Sequence, residues 1–206
     1  MSGPKIELHV GDLPQGVDFG DSVAIDTETL GLNPLRDRLC LVQLSAGGGT
    51  AALGQIPQGG SAAPRLKALL ADPKVLKIFH FARFDLAAIS HHLGVMPAPF
   101  YCTKIVSKLV RTYTDRHGLK ELASELAGIE LSKQQQSSDW GADKLSQQQL
   151  AYAASDVLHL HAIKRKLDAM LDREGRRDVA DAAFRFLPVR ARLDLAGFAE
   201  DDIFAH

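Results

Sequence analysis

The stretch "VAIDTETLGL", residues 23–32, decides how the rest of the chain is read. Val23, Ala24 and Ile25 form an apolar run that belongs in a buried strand, yet the run continues directly into Asp26 and Glu28. Side chains of an extended strand alternate between its faces, so Asp26 and Glu28 project to the same side. Two carboxylates about 7 Å apart, at an effective dielectric near 20, repel by roughly 2–3 kcal/mol before any cost of desolvation. Something else has to neutralise them.

Outward from this strand, Gly31, Asn33 and Pro34 break the chain into a turn, and "RLCLVQLS" (38–45) returns as a second strand. So tight a return implies antiparallel pairing. "AGGGTAALGQI" (46–56) reads as a turn and a short third strand. Its glycines do not form a dinucleotide-binding G-x-G-x-x-G, because position 52 is Ala and no helix follows directly. After the turn-rich "PQGGSAAP" (57–64), the spacing of "RLKALLADP" (65–73) predicts a helix ending at Pro73. "KVLKIF" (74–79) is a buried strand, "ARFDLAAISHHLG" (82–94) a helix closed by Gly94, and "FYCT" (100–103) one more short strand. From Thr103 onward the pattern is mostly helical, over "TKIVSKLVRTY" (103–113), "GLKELASELAG" (118–128) and one long helix from Ser146 to about Arg173. Three strands, then alternation, then helices predict an α/β fold on a mixed sheet. Residues 1–21 read as a lead-in without chemistry. The tail after Pro188 stays open between a docked helix, a partner contact and a frayed end.

The chain has 206 residues, 46% hydrophobic and 24% charged, which suits a single globular domain over 1–206. With 24 Lys and Arg against 25 Asp and Glu, the formal net charge is −1, so no global positive field draws in a polyanion. Any such ligand must be held locally. No stretch approaches the roughly 20 apolar residues of a membrane span. "MSGPKIELHV" lacks the charged start and apolar core of a signal peptide, so the expectation is a cytoplasmic protein. Cys40 and Cys102 make no C-x-x-C pair and read as small core residues rather than a disulfide or zinc framework.

The long helix opens on a capping box, with Ser146 as N-cap and Gln149 three residues on. Tyr152 and Asp156 stand at i, i+4 and share a face, in line with Leu160, Ile163 and Leu167. An aspartate on so apolar a stripe needs a cation or hydrogen-bond donors. A further acid, Asp85 of "HFARFDL", lies in the first turn or so of its helix. Each has an ordinary alternative. Asp26 and Glu28 can end a strand, Asp85 can complement a helix dipole, and Asp156 can pair with an arginine. Together they read as acids converging on one pocket, and an all-oxygen donor set suits Mg²⁺ or Mn²⁺ rather than Zn²⁺.

The sequence resembles a known family at these residues. DTE at 26–28, FD at 84–85 and Y-x-x-x-D at 152–156 are similar to the three exonuclease motifs of the DEDD superfamily, tyrosine (DEDDy) branch. The position five residues before Asp156, where the histidine branch would carry His, is Ala151. "HGLKELASELAGIELSKQQQSSDWGADKLSQQQLAYAASDVLHL" (117–160) resembles ribonuclease D, and the likeness covers most of residues 20–172. It implies a ribonuclease H-like fold and two-metal hydrolysis from the single-stranded 3′ end of RNA, releasing nucleoside 5′-monophosphates. DNA as substrate, or a non-catalytic binding module, are the alternatives.

The two divalent cations, Mg²⁺ or Mn²⁺, would be held by Asp26, Glu28, Asp85 and Asp156, while Tyr152 orients the attacking water. The resemblance points to Thr27, Thr29 and Leu30 as grips on the terminal nucleotide, with Leu30 equally readable as core. His80 is a substrate contact or a hydrogen-bonded structural histidine, and Trp140 stacks on a base or packs under the long helix. There are departures from the family. Phe81 stands where many members carry Asn, Asp143-Lys144 where Arg-Pro often follows Trp140, and the helical domains that follow ribonuclease D proper have no counterpart before His206. The expectation is a catalytic domain alone.

Overall fold

The computed structural model describes residues 3–132 and 134–206. Among them six strands form one sheet: β1 (Lys5–Val10), β2 (Ser22–Thr29), β3 (Leu39–Ser45), β4 (Thr50–Gln55), β5 (Leu76–Phe79) and β6 (Phe100–Cys102). Their order is β1-β4-β3-β2-β5-β6, which puts β2 inside the sheet. The tight turn after β2 gives the antiparallel β2–β3 pair, and the helical crossover to β5 gives a parallel one. The sheet is therefore mixed, as the alternation of elements predicts.

The helices are α1 (Pro64–Ala71), α2 (Ala82–Leu93), α3 (Thr103–Val110), α4 (Leu119–Leu122), α5 (Gln147–Leu158), α6 (Leu160–Glu174) and α7 (Arg177–Leu193). A π-helical turn, Ala123–Ala127, continues α4. Alternation along β2 sends its apolar residues to two layers. Ala24 joins Leu41 and Leu53 against α5 and α6, whereas Val23 and Ile25 join Val42 and Leu44 against α1, α2 and α7. Cys40 and Cys102 are free and buried in these layers.

Two elements depart from the sequence expectation, and a third settles one that was open. Residues 5–10, taken as a lead-in, form β1 and pair parallel with β4 from Lys5 to Val10. "KIELHV" does alternate, but it is short and bracketed by Gly and Pro, and as an edge strand it leaves Val10 68% exposed. The helix expected from Ser146 to Arg173 is divided at His159 (φ −110°, ψ −5°) into α5 and α6. The apolar stripe survives the break, because Val157, Leu160, Ile163 and Leu167 all remain buried. The tail is a docked helix: α7 runs through Pro188, which removes one helical hydrogen bond, and Leu187 and Ala191 bury on the α2 side. Just beyond α7, Asp194 accepts two hydrogen bonds from Arg83 of α2, at 2.7 and 2.8 Å. No helix among the described residues is long and apolar enough to cross a membrane.

The capping box at the start of α5 is formed as expected. Gln149 N donates to Ser146 Oγ at 3.2 Å, and Ser146 N donates to Gln149 Oε1 at 2.9 Å. The amide of Gln149 also donates to Asp139 O at 2.9 Å, tying the preceding loop to the helix. Ser146→Ala should cost about 1 kcal/mol and lower the thermal midpoint by roughly 2–4 °C for a chain of this size. An unchanged midpoint in a calorimetric scan would show that the cap contributes nothing.

Candidate active site

The same alternation that divides the core also divides the acids. Asp26 and Glu28 share the Ala24 face of β2 and look toward α5, which supplies Asp156 and, one turn earlier, Tyr152. One oxygen from each of Asp26, Glu28 and Asp156 lies within 4.8 Å of the other two. Thr27 points the opposite way, toward α2, where its Oγ1 donates to Asp85 Oδ1 at 2.7 Å. Asp85 itself is 2% exposed in the first turn of α2. Three acids thus form a tight cluster, and the fourth stands beside it on the other face of β2.

At 4.8 Å or less, each ionised pair repels by about 3–4 kcal/mol at an effective dielectric near 20. Protonation is the response of the cluster on its own. Burial pushes Asp26 up to about 7. Burial, followed by the charges of Asp26, Asp156 and Asp85, pushes Glu28 up to about 10. Asp156 rises to about 8 through burial and the Asp26 charge, against a hydrogen bond from Tyr152 that favours its ionised form. Asp85 also rises, through burial and then Asp26, with the Thr27 hydroxyl opposing. Burial and the neighbouring carboxylates hold the Tyr152 hydroxyl above its ordinary range, so it is a hydrogen-bond donor and not a base at neutral pH.

A cavity of about 490 Å³ opens over the cluster, and among the described residues lining it none is Lys, Arg or His. Among the described residues, none lining the cavity brings a positive charge to the acids. Oxygen donors at this spacing, short of positive charge, fit hard divalent ions such as Mg²⁺ or Mn²⁺. Gln43, directly opposite Asp26 in the β2–β3 register and fully buried, turns its amide toward Glu28 Oε1 at 3.4 Å. Thr27 and Gln43 are thus the donors that orient two of the four acids, the usual task of groups just outside a metal's ligands.

The sequence-predicted substrate residues are placed unequally. Leu30 is half-exposed on the cavity wall. The Thr27 hydroxyl is committed to Asp85, and the Thr29 hydroxyl donates to Gly31 O. Trp140 reaches the cavity but is 2% exposed, its ring 6.0 Å from that of Tyr152, so it packs under α5 as one of its two alternatives had it. His80 lies outside the cavity lining. Its Nδ1 pairs with Thr103 Oγ1 at 2.9 Å while that hydroxyl donates to Phe79 O, so the imidazole is the donor. Burial, aided by Lys104, holds His80 neutral at about 3. Phe81 adopts a left-handed conformation (φ 65°), tolerated by Asn better than by bulky side chains, and lies under the Lys104 ammonium at 4.2 Å. Sequence reasoning missed Gln43, and it quoted Gln136, Ser137 and Ser138 without assigning them to the wall they line. A buried glutamine in an otherwise apolar strand was the one available signal for the former.

Residues 12–172 match the family model described as 3′-5′ exonuclease. Ribonuclease D of Gluconacetobacter diazotrophicus is 38% identical over 156 residues, covering 76% of this chain and 39% of that protein. Ribonuclease D of Acidiphilium cryptum is 39% identical over 162 residues, covering 78% and 41%. The chain thus spans about two fifths of the length of these curated relatives. Among solved structures, Brucella melitensis NrnC with bound Mg²⁺ is 59% identical with a TM-score of 0.93, covering 98% of this chain and 99% of that one. The same protein bound to pGG gives 59% and 0.95, covering 99% and 100%. With a family match that runs from Asp12 past the last acid of the cluster, this chain belongs to the 3′-5′ exonuclease family, among proteins of the ribonuclease D and NrnC type.

Proposed function

We propose that the protein is a divalent-metal-dependent 3′-5′ exoribonuclease that acts on short single-stranded RNA in the cytoplasm and releases nucleoside 5′-monophosphates. One observation carries this: three carboxylates within 4.8 Å of one another, at the end of a central strand, with no basic side chain among the described residues lining their cavity. The pGG bound to a relative 59% identical over nearly the whole chain supports a substrate as short as a dinucleotide. The bacterial ribonuclease D relatives support RNA as the polymer and the cytoplasm as the compartment.

In this proposal Asp26, Glu28 and Asp156 hold one Mg²⁺ or Mn²⁺, and Asp26 with Asp85 a second. Bound divalent cations supply an activated water and offset charge on the departing 3′ oxygen. The chain's own groups do the placing. Tyr152 donates from its protonated hydroxyl and orients the water for attack on the terminal phosphorus. The bond from phosphorus to the 3′ oxygen breaks, that oxygen takes up a proton, and a nucleoside 5′-monophosphate leaves. Leu30 packs on the terminal nucleoside, while Gln136, Ser137 and Ser138 of the same cavity lining offer polar contacts. The clustering of Asp26, Glu28 and Asp156 beside Tyr152 in one cavity favours catalysis over a non-catalytic module.

Asp26→Asn should abolish hydrolysis while leaving the metal-free thermal midpoint unchanged or higher. The sign follows from the raised carboxyl groups: their contribution to stability is complete below about pH 4 and is lost as pH rises through 7 to 10, so deleting one charge helps most above neutrality. A variant that unfolds would make Asp26 a structural residue. Mn²⁺ at about a hundred times its dissociation constant should stabilise the parent by roughly 2.7 kcal/mol, and Asp26→Asn should lose most of that gain. Gln43→Met, which keeps the volume and removes the amide, should weaken Mn²⁺ binding by about 10–100-fold in calorimetric titration; parental affinity would leave Gln43 without a role at Glu28. Side-by-side digestion of 5′-labelled RNA and DNA, each with a free or blocked 3′ end, tests the substrate. Loss of RNA only from a free 3′ hydroxyl supports the proposal, and preference for DNA overturns it.

A further inference from the structure

Leu30 stands where the chain leaves β2, and three features fix its surroundings. Its backbone N donates to Arg38 O at 3.2 Å. The Arg38 guanidinium in turn donates from Nη1 to Ile56 O at 3.1 Å and from Nη2 to Gly141 O at 3.0 Å. The turn carrying Gly141 is pinned from its other side as well, since Asp139 Oδ1 accepts from Gly141 N at 2.9 Å and Asp139 O accepts from Gln149 of α5. Gly141 cannot retreat. A Cβ built on it would lie 2.8 Å from Leu30 Cδ2, closer than two carbons can approach, and 3.2 Å from both Arg38 Nη2 and Asp139 Oδ1. Its φ is not in the left-handed region, so backbone freedom does not explain the glycine. Space for the Leu30 side chain does.

We infer that Gly141 is a positioning residue for substrate specificity: by lacking a side chain it lets Leu30 seat against the 139–141 turn, and so sets how far the leucine reaches into the cavity. The inference rests on Leu30 as a substrate contact. The nearest obstructing atom at Gly141 is the far end of a flexible side chain that is 52% exposed, so a methyl group there displaces Leu30, while Arg38 Nη2 and Asp139 Oδ1, at 3.2 Å, need give by only a few tenths of an ångström. The carboxylates do not move. Substrate fit changes while the chemistry is spared.

The test is a kinetic and thermal comparison of Gly141→Ala, Leu30→Ala, Leu30→Val and the double variants, with 5′-phosphorylated diguanylate RNA as probe. Gly141→Ala should raise KM by roughly ten-fold, the scale on which a methylene is felt in an apolar site, with kcat, the melting midpoint and the Mn²⁺-induced shift close to parental. In the Leu30→Ala background it should have no further effect. Leu30→Val, which lacks Cδ2, should restore most of the lost affinity when combined with Gly141→Ala. A parental KM for Gly141→Ala beside a raised KM for Leu30→Ala overturns the inference and leaves the substrate reading standing. A parental KM for Leu30→Ala overturns both. Additive effects, or a Gly141→Ala protein that melts early or loses its Mn²⁺ shift, make the glycine structural and overturn the positioning role.

Discussion

Repulsion among the carboxylates gathered between β2 and α5 is the constraint around which the molecule is arranged. Each ionised pair at this separation opposes folding by a few kcal/mol, a sizeable share of the 5–15 kcal/mol by which domains are typically stable. The fold holds the acids together by burying apolar surface on both sides of them. Val23 and Ile25 anchor one face of β2, and Ala24 with the stripe from Ala153 to Leu167 anchors the other. An acid here is held by its neighbours on the backbone, since none has a basic partner among the described residues lining the cavity. The raised pKa values of Asp26, Glu28, Asp85 and Asp156 are the electrostatic imprint of that packing.

Because packing supplies the force, hydrogen bonds are free to set direction. Thr27 fixes Asp85, and Gln43 approaches Glu28. Both donors come from the sheet itself, one on each face, so the orientation of those acids is as rigid as the β2–β3 pairing. The bulge in β2 between Glu28 and Thr29 marks where ladder geometry gives way to the loop that carries Leu30.

The sequence disclosed most where periodicity and chemistry coincided. "SVAIDTET" and "RLCLVQLS" combine apolar runs with a breaker-rich turn, and Tyr152 and Asp156 lie on an unbroken apolar stripe after a capping box. Hence the mixed sheet, its central strand and the acid cluster were all legible. Elements defined only by tertiary context were not. β1 is an edge strand whose stability comes from pairing with a segment 45 residues away, and the break at His159 is absorbed by packing that leaves the stripe intact. α7 tolerates Pro188 because its buried face holds it in place. The same limit applies within the site. Alternation placed Asp26 and Glu28 together, yet it also turned Thr27 away toward Asp85, which follows only once α2 is known to cover that face. His80 sat close to a motif in sequence, but its hydrogen bond to Thr103 takes it out of the cavity.

Neither net charge nor local charge attracts a polyanion, and this bears on how one could be bound here. The formal charge is −1 and no described residue lining the cavity is basic, so no long-range field favours an incoming phosphate. Affinity must come from the cations and from short-range fit along the walls. The lining offers apolar surface at Leu30, Leu32 and Phe84 and polar groups at Gln136, Ser137 and Ser138. Apolar contact is worth little unless the contacting group is held at the right depth, because the energy of a packed methyl falls off within an ångström of its optimum. A leucine on a loop would normally lack that precision. Here its backbone is bonded to Arg38, and its side chain rests against a glycine clamped by the same arginine, so the rigidity of β3 is carried to an exposed side chain without a further strand or helix to hold it.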